Sequence, residues 1–211
     1  KIYTTTFAVP PTLSSDAATA FGEPPDDERT YYCVALHYKG DLVHHEDIRF
    51  RFWGLGSEAL VVAVDGEIVL NAHYPRSRYG APWDTEMITP HWQSSANESD
   101  RYPMGIQTST VGDWITLKAG EPLEMNVLCA DVIGTIFQAI LCVQVEGAEH
   151  EKSPDRGGPI LPVFKTAPVS IDLMEAINEG LNPGDGCVTN GPVFSDFIQS
   201  ERNTPYYDTR E

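Results

Sequence analysis

The sequence predicts an all-β fold, an antiparallel β-sandwich or barrel with a long loop insertion and a C-terminal extension. Short apolar runs alternate with Gly, Pro and Asp through the first 150 residues, where helical periodicity is nearly absent. Residues 60–70, LVVAVDGEIVL, form two apolar arms around Asp65-Gly66, a pair that suits a two-residue type I′ hairpin turn. Residues 48–52, IRFRF, alternate between apolar and charged, as a half-buried strand does.

Eight segments have the composition of strands. They are residues 2–9, 31–39, 48–53, 60–64, 67–70, 114–117, 123–130 and 136–145. Within 48–52 the three apolar side chains are predicted to point inward and both arginines to point outward. Residues 14–21, SSDAATAF, are predicted to form a short helix with Ser14 or Ser15 as its N-cap.

Two long segments depart from the strand pattern. Residues 71–111 have little β pattern and are rich in aromatic residues, and an excursion of this length in a compact domain is usually functional or mobile. Residues 149–211 become charged, then rich in Gly and Pro. The sequence therefore predicts a β-sandwich domain over 1–148 and a 149–211 extension that packs on the sandwich or on a neighbouring chain.

The extension contains one predicted helix, residues 170–178, and residues 162–169 are predicted to add an edge strand. Ser170 suits the N-cap of this helix and Gly180 its end. Its apolar face is predicted to consist of Ile171, Met174 and Ile177.

The chain is strongly acidic, with 31 Asp and Glu against 14 Lys and Arg and a formal net charge of −17. This balance argues against nucleic acid and anionic membranes as partners, because both require clustered basic residues. No run approaches the roughly 18 apolar residues of a membrane-spanning helix, so no membrane insertion is expected.

The four cysteines have neither CxxC nor zinc-finger spacing. They are Cys33, Cys129, Cys142 and Cys187. Two disulfides and buried free thiols are both compatible with the pattern. A bridge between the two cysteines of neighbouring apolar runs, Cys129 and Cys142, is one alternative, and the pairing stays open.

Three segments resemble the PA14 domain: HYKG at 37–40, RFRFWGLGSEALVVAVDGEIVLN at 49–71 and WITLKAGEPLEMNVL at 114–128. The resemblance spans about residues 31–146. It implies a β-sandwich or barrel of the kind found, mostly as non-catalytic modules, in bacterial toxins, glycosidases, adhesins and cell-surface proteins. Several members of this family bind carbohydrate.

In fungal adhesin relatives, two adjacent aspartates hold a calcium ion that contacts the sugar. The family motif places an Asp-Asp pair just before the strand that leads into the hairpin, where this chain has Ser57-Glu58. One carboxylate is a poor ligand set for an ion that takes six to eight oxygens. No cofactor is therefore expected, with calcium as the alternative that stays open, and Asp65 is interpreted as a turn residue.

Two further groups of residues were weighed as chemical sites. The run from His44 to Asp47, HHED, is interpreted as a loop rather than a metal site, because adjacent strand residues face opposite sides. The excursion holds carboxylates and a histidine that would suit a hydrolase, namely Asp84, Glu86, Glu98, Asp100 and His91. No nucleophile, metalloprotease or phosphate-loop motif accompanies them, so the chain is not expected to be an enzyme.

The excursion is the predicted ligand site, because aromatic rings stack on sugar rings while polar side chains bind hydroxyl groups. The predicted contacts are Trp83, Trp92, Tyr79, Tyr102, Asp84, Arg76 and Asn97. The alternative is that Trp83 and Trp92 close the open end of the sandwich.

The sequence thus favours a non-catalytic binding module of an exported or cell-envelope bacterial protein. Its expected partner is a glycan or a cell-surface protein, and its expected location is extracellular or in the envelope. One alternative is a structural subunit that self-associates through the extension, as in strand donation. The other is part of a glycoside-active enzyme.

Overall fold

A computed structural model describes residues 4–23, 32–72, 92–131, 135–180 and 187–195. In this part of the chain the helices and strands, in order, are Ala8–Leu13 (β1), Ser14–Ala20 (α1), Val34–Leu42 (β2), Ile48–Gly56 (β3), Ala59–Val64 (β4), Glu67–Asn71 (β5), Pro103–Met104 (β6), Gln107–Thr108 (β7), Thr110–Val111 (β8), Ile115–Leu117 (β9), Leu123–Asp131 (β10), Ile136–Val145 (β11) and Ile171–Gly180 (α2). Within the described helices, none is long and apolar enough to cross a bilayer.

The strands form two antiparallel sheets that enclose the main core. One sheet has the order β1-β11-β3-β8, with β9 also paired to β3, and the other has the order β2-β10-β4-β5. Strands β6 and β7 form a separate small hairpin. The predicted all-β sandwich is confirmed.

The β4–β5 hairpin turns on Asp65-Gly66, as predicted. Val64 pairs with Glu67 across the two-residue loop. Asp65 has a φ of 51° and Gly66 a φ of 82°, which is the pair of positive values that a type I′ turn requires. This turn sets the register of β4 against β5, and the register determines the face of the sheet on which each β4 side chain lies.

The predicted strand at 2–9 is wrong in its bounds, because β1 starts at Ala8 and runs through Pro10 and Pro11 to Leu13. The pairing of β1 with β11 is irregular between Val9 and Thr12, where the two prolines lie. Because β1 is at the edge of its sheet, the missing proline N–H groups break little of the hydrogen-bond ladder.

Helix α1 forms where it was predicted, but neither serine caps it. The N-cap position is Leu13, and no side chain accepts a hydrogen bond there. Ser14 is fully buried and its hydroxyl donates to the Asp131 carboxylate instead. The sequence suggested a cap because serine favours that position, whereas here the hydroxyl joins the helix to β10.

Helix α2 has the predicted cap: the Leu173 N–H donates to the Ser170 hydroxyl at 3.2 Å. Met174 and Ile177 are buried, but Ile171 is 71% exposed, so the predicted apolar face is wrong at its first residue. The later turns make the contact with the sandwich, where Gly180 lies against Pro10.

The main cluster fills the space between the sheets and holds most of the buried phenylalanine side chains. From the sheets it includes Phe50, Phe52, Leu60, Leu70, Val127 and Leu141. Two side chains of the extension, Phe164 and Phe194, are buried in the same cluster. The described part of the extension is therefore packed into the core of its own chain.

The extension also lies along β11. The Val143 N–H donates to the Pro162 carbonyl and the Phe164 N–H donates to the Leu141 carbonyl, both at 2.8 Å. The predicted edge strand at 162–169 is nevertheless only a set of isolated bridges. Proline at positions 162 and 168 removes the backbone donors that a regular ladder needs.

An outer cluster lies on the opposite face of β3 and β11, beneath the extension. Its buried members are Trp53, Leu55, Met104, Val111, Ile140, Cys142, Leu161, Val163, Met174, Ile177 and Cys187. Cys142 belongs to this cluster, whereas Cys129 belongs to the main cluster. The predicted Cys129–Cys142 alternative is wrong, and all four cysteines are unbridged in this structure.

Candidate functional site

The alternation of β3 places three side chains on the face that points away from the main core. Phe50 and Phe52 are buried in that core, as predicted, and Arg49, Arg51 and Trp53 point the other way. Both arginines therefore point outward, as predicted, but Arg51 is only 8% exposed. The reason is that Trp114 and the segment after residue 92 cover it.

Arg51 is held by contacts from three directions. Its Nε donates to Gln144 Oε1 at 2.7 Å, and its Nη2 lies 3.3 Å from Glu98 Oε1. The guanidinium carbon is 4.7 Å from the centre of the Trp114 ring, within cation–π range. This arrangement joins β3, β11 and the covering segment around one buried charge.

Arg49 provides the exposed edge of the same surface. Its guanidinium carbon lies 5.2 Å from the centre of the Trp114 ring, and its Nη1 forms an ion pair with Glu146. The side chains of Arg49 and Glu146 are 45% and 49% exposed. Trp114 itself is half-buried.

We call this surface the Arg–Trp site, and its members are Arg49, Arg51, Glu98, Trp114, Gln144 and Glu146. It combines an aromatic ring, two planar cations and several hydrogen-bond acceptors at the protein surface. Among these residues the sequence singles out only Glu98, as one of the carboxylates that would suit a hydrolase. The signal was present in the IRFRF alternation, which placed both arginines on one face, but nothing in the sequence showed that Trp114 and Glu98 meet them there.

Three of the predicted ligand contacts lie in the described residues. Trp92 is half-buried, packs against the main cluster and donates from Nε1 to Asp113 Oδ2 at 2.7 Å. Tyr102 stacks on Trp53, with ring centres 6.2 Å apart and an interplanar angle of 22°. Asn97 is exposed beside Glu98 of the Arg–Trp site. The two rings thus have packing roles.

The other four predicted contacts lie outside the described residues. They are Tyr79, Trp83, Asp84 and Arg76. They stay predictions, as does the alternative in which Trp83 closes the sandwich.

The end of the 71–111 segment has more β structure than predicted. Thr110 and Val111 form β8 and pair with Gly54 and Trp53 of β3. Asp100, at a φ of 59°, accepts a hydrogen bond from the Thr110 hydroxyl at 3.2 Å. These bonds hold Glu98 close to β3, where it meets Arg51.

The carboxylates weighed as hydrolase residues have contacts within the fold where they are described. Glu98 is paired with Arg51, and Asp100 with Thr110. The remaining candidates, Asp84, Glu86 and His91, lie outside the described residues.

The HHED segment forms the predicted loop between β2 and β3. His44 is buried, and its Nδ1 accepts a hydrogen bond from the Glu46 N–H at 3.3 Å. Asp47 accepts hydrogen bonds from Lys118 Nζ at 2.7 Å and from the Ala119 N–H at 2.9 Å, and these hold the pKa of Asp47 below its ordinary value. Among the described residues no group of three or more His, Cys, Asp or Glu side chains is placed to hold a metal ion.

Ser57, which stands where the PA14 motif has an aspartate, connects the two sheets. Its hydroxyl accepts a hydrogen bond from the Gln138 N–H at 2.7 Å and donates to the Ile136 carbonyl at 3.0 Å. Ser57 is buried at the turn between β3 and β4, where Gly56 leaves no room for a Cβ next to Ala59. The Ser57 hydroxyl is therefore used in hydrogen bonds to the backbone of β11.

No protein-family model matches the sequence, and no curated protein matches it. The solved structures that are similar to the chain include two PA14 domains and a glucosidase. The PA14 domain of the MpAFP antifreeze protein is 11% identical, with a TM-score of 0.42 over 69% of this chain and 65% of that one. The PA14 sugar-binding domain from an RTX adhesin is 12% identical, with a TM-score of 0.41 over 70% and 69%.

A beta-glucosidase from Kluyveromyces marxianus, solved in complex with glucose, is 14% identical, with a TM-score of 0.35 over 64% of this chain and 13% of that one. The chain thus spans about two thirds of the two PA14 structures and a small part of the glucosidase. The all-β fold of the described part of the chain is given by its own strand pairing.

Proposed function

We propose that the protein is a non-catalytic carbohydrate-binding module and that the Arg–Trp site is part of its ligand surface. The observation that carries this proposal is the half-exposed Trp114 ring with two guanidinium groups at 4.7 Å and 5.2 Å. An indole gives an apolar face for a sugar ring, and arginine gives planar pairs of N–H donors for hydroxyl or carboxylate oxygens.

The exposed edge of the site supplies both kinds of hydrogen-bonding group that a polyhydroxylated ligand needs. Arg49 donates, while Glu98 and Glu146 accept. Arg51 has a different role: it is buried and its donors are used within the fold, so it positions Trp114 and Glu98. Asn97 adds an exposed amide beside this edge.

The proposal includes the absence of catalysis. Glycosidases use two carboxyl groups in different protonation states across the scissile bond. At the Arg–Trp site each described carboxylate is the partner of an arginine, Glu98 of Arg51 and Glu146 of Arg49. An exported or envelope location is part of the same proposal, because the polysaccharides proposed as ligands are those that lie outside the cell.

Binding of the full chain to a glycan array, followed by titration with the best soluble polysaccharide, tests the proposal. We expect Trp114→Ala and Arg49→Ala each to weaken binding about tenfold or more, which corresponds to about 1.4 kcal/mol. Lys39→Ala is the matched control, because Lys39 also forms an exposed surface ion pair, with Glu124, on the other sheet.

Two results would contradict the proposal at different levels. If the wild-type protein binds no glycan, the function is wrong. If it binds and the Trp114 and Arg49 variants match the Lys39 control, the site is wrong, and Trp83→Ala and Tyr79→Ala then test the predicted contacts in the 71–111 segment.

A further inference from the structure

Two buried cysteine side chains meet where the extension covers β11. Cys142 is in β11 and is fully buried, and Cys187 is in the 187–195 segment and is 4% exposed. Their Sγ atoms are 3.6 Å apart. The fold thus brings into contact two thiols that are 45 positions apart in the chain.

The position of Cys187 is set by bonds that do not involve its sulfur. The Cys187 N–H donates to Asn178 Oδ1 at 2.8 Å, and Asn178 Nδ2 donates to the Cys187 carbonyl at 3.1 Å. The next residue, Val188, donates to the Leu161 carbonyl at 3.2 Å. Helix α2 and the segment along β11 therefore hold the thiol in place against Cys142.

The pair borders a small cavity with a mixed lining. Trp53, Met104 and Leu161 line it together with both cysteines, and Arg156 and Ser153 are among its polar members. Both cysteines are in the outer cluster, whereas Cys129 is in the main cluster on the other side of the sheet and Cys33 is exposed. Cys142 and Cys187 are thus the two cysteines that the fold places side by side.

We propose that Cys142 and Cys187 form a disulfide that ties the extension to β11. The oxidant is an external disulfide, such as oxidised glutathione or a thiol–disulfide oxidoreductase. The thiolate of Cys187 attacks one sulfur of that disulfide and releases one thiol, and the thiolate of Cys142 then attacks Cys187 Sγ and releases the second. Each cysteine loses one proton, and the two electrons reduce the external disulfide to two thiols.

Closure requires the sulfurs to approach from 3.6 Å to about 2.05 Å, the length of a disulfide bond. The hydrogen bond with Cys187, together with burial, raises the pKa of the Cys142 thiol well above its ordinary value. Because exchange needs the thiolate, we expect oxidation to be slow at neutral pH and faster at alkaline pH.

The test uses the full chain, incubated with oxidised or with reduced glutathione, then denatured and alkylated. We expect the oxidised sample, and not the reduced one, to give a linked pair of peptides that contains Cys142 and Cys187, with Cys129 alkylated in both. Cys33→Ser is the matched control, which removes one label and keeps the link. Cys187→Ser is expected to abolish the link.

Peptide mapping of the wild-type protein needs no variant to fold, so the outcome is decided by that measurement. The absence of the Cys142–Cys187 link after oxidation of the folded protein, or a link between any other pair, would overturn the proposal. A second readout is the melting temperature, which we expect to be higher in the oxidised form and to fall on addition of dithiothreitol. Neither readout depends on glycan binding.

Discussion

The main cluster and the outer cluster lie on opposite faces of the same two strands, and they are built differently. The main cluster is enclosed by long regular ladders, such as the nine consecutive residues of β10 that pair with β2. The outer cluster is covered by segments joined through isolated bridges and side-chain hydrogen bonds. Strand alternation determines which residues form the main cluster, whereas individual bridges and hydrogen bonds hold the cover of the outer cluster in place.

The two clusters would contribute equally to folding if losing a core side chain of the extension lowered the free energy of unfolding as much as losing one of a strand. Phe164→Ala tests this, because Phe164 comes from the extension but is 2% exposed within the main cluster. We expect a loss of about 3–5 kcal/mol in the free energy of unfolding, the cost of removing a buried phenylalanine ring. Phe52→Ala, on β3, is the matched core variant in urea denaturation.

Equal losses would place the extension in the same cooperative unit as the sandwich. A loss below about 1 kcal/mol for Phe164→Ala, against a full loss for Phe52→Ala, would show that the extension can detach while the strands stay folded.

Arg51 is the point where the outer face depends on a buried charge. We expect Arg51→Ala to cost about 2–4 kcal/mol, because it removes the bond to Gln144 and the packing against Trp114. Arg51→Lys keeps the charge but not the planar group, and we expect it to recover less than half of that loss. Full recovery in Arg51→Lys, measured by thermal unfolding, would contradict this role for the guanidinium.

The same contrast separates what the sequence predicts from what it leaves out. The Asp65-Gly66 turn and the β3 alternation depend on neighbours in the chain, so the sandwich and the inward Phe50 and Phe52 could be read directly. The Arg–Trp site joins residues 51, 98 and 114, and only the tertiary fold brings them together. Likewise, Ser14 has the local chemistry of a cap, but Asp131, distant in sequence, determines its bond.

Two substitutions with smaller expected effects compare a turn in the sandwich with a helix cap in the extension. Gly66→Ala places a side chain at a φ of 82° in the β4–β5 turn, which costs roughly 1–2 kcal/mol. Ser170→Ala removes the α2 cap, which costs about 1 kcal/mol. We expect the first change to lower the stability of the whole sandwich. The second should increase hydrogen exchange in α2 more than in β4, and equal increases in both would contradict the separation of the two regions.

The smallest expected effect is on the pH dependence of stability. A group in the extension and a group in the sandwich are expected to act in different pH ranges. Burial lowers the pKa of His150, in the extension, below its ordinary 6.5, and its Nε2 is buried without a hydrogen-bond partner among the described residues. Asp47, in the sandwich, has a pKa below 3.8 because of its hydrogen bonds to Lys118 and Ala119.

In both cases the unfolded chain binds a proton at a higher pH than the folded chain does, so stability is lost on acidification. The His150 contribution is complete above pH 6.5 and is lost as the pH falls through the folded value, whereas the Asp47 contribution is lost only below 3.8. His150→Gln should therefore flatten the melting-temperature profile just below pH 6.5, and Asp47→Asn should change only the acid end. If His150→Gln leaves the first window unchanged, the imidazole is not buried as the structure describes.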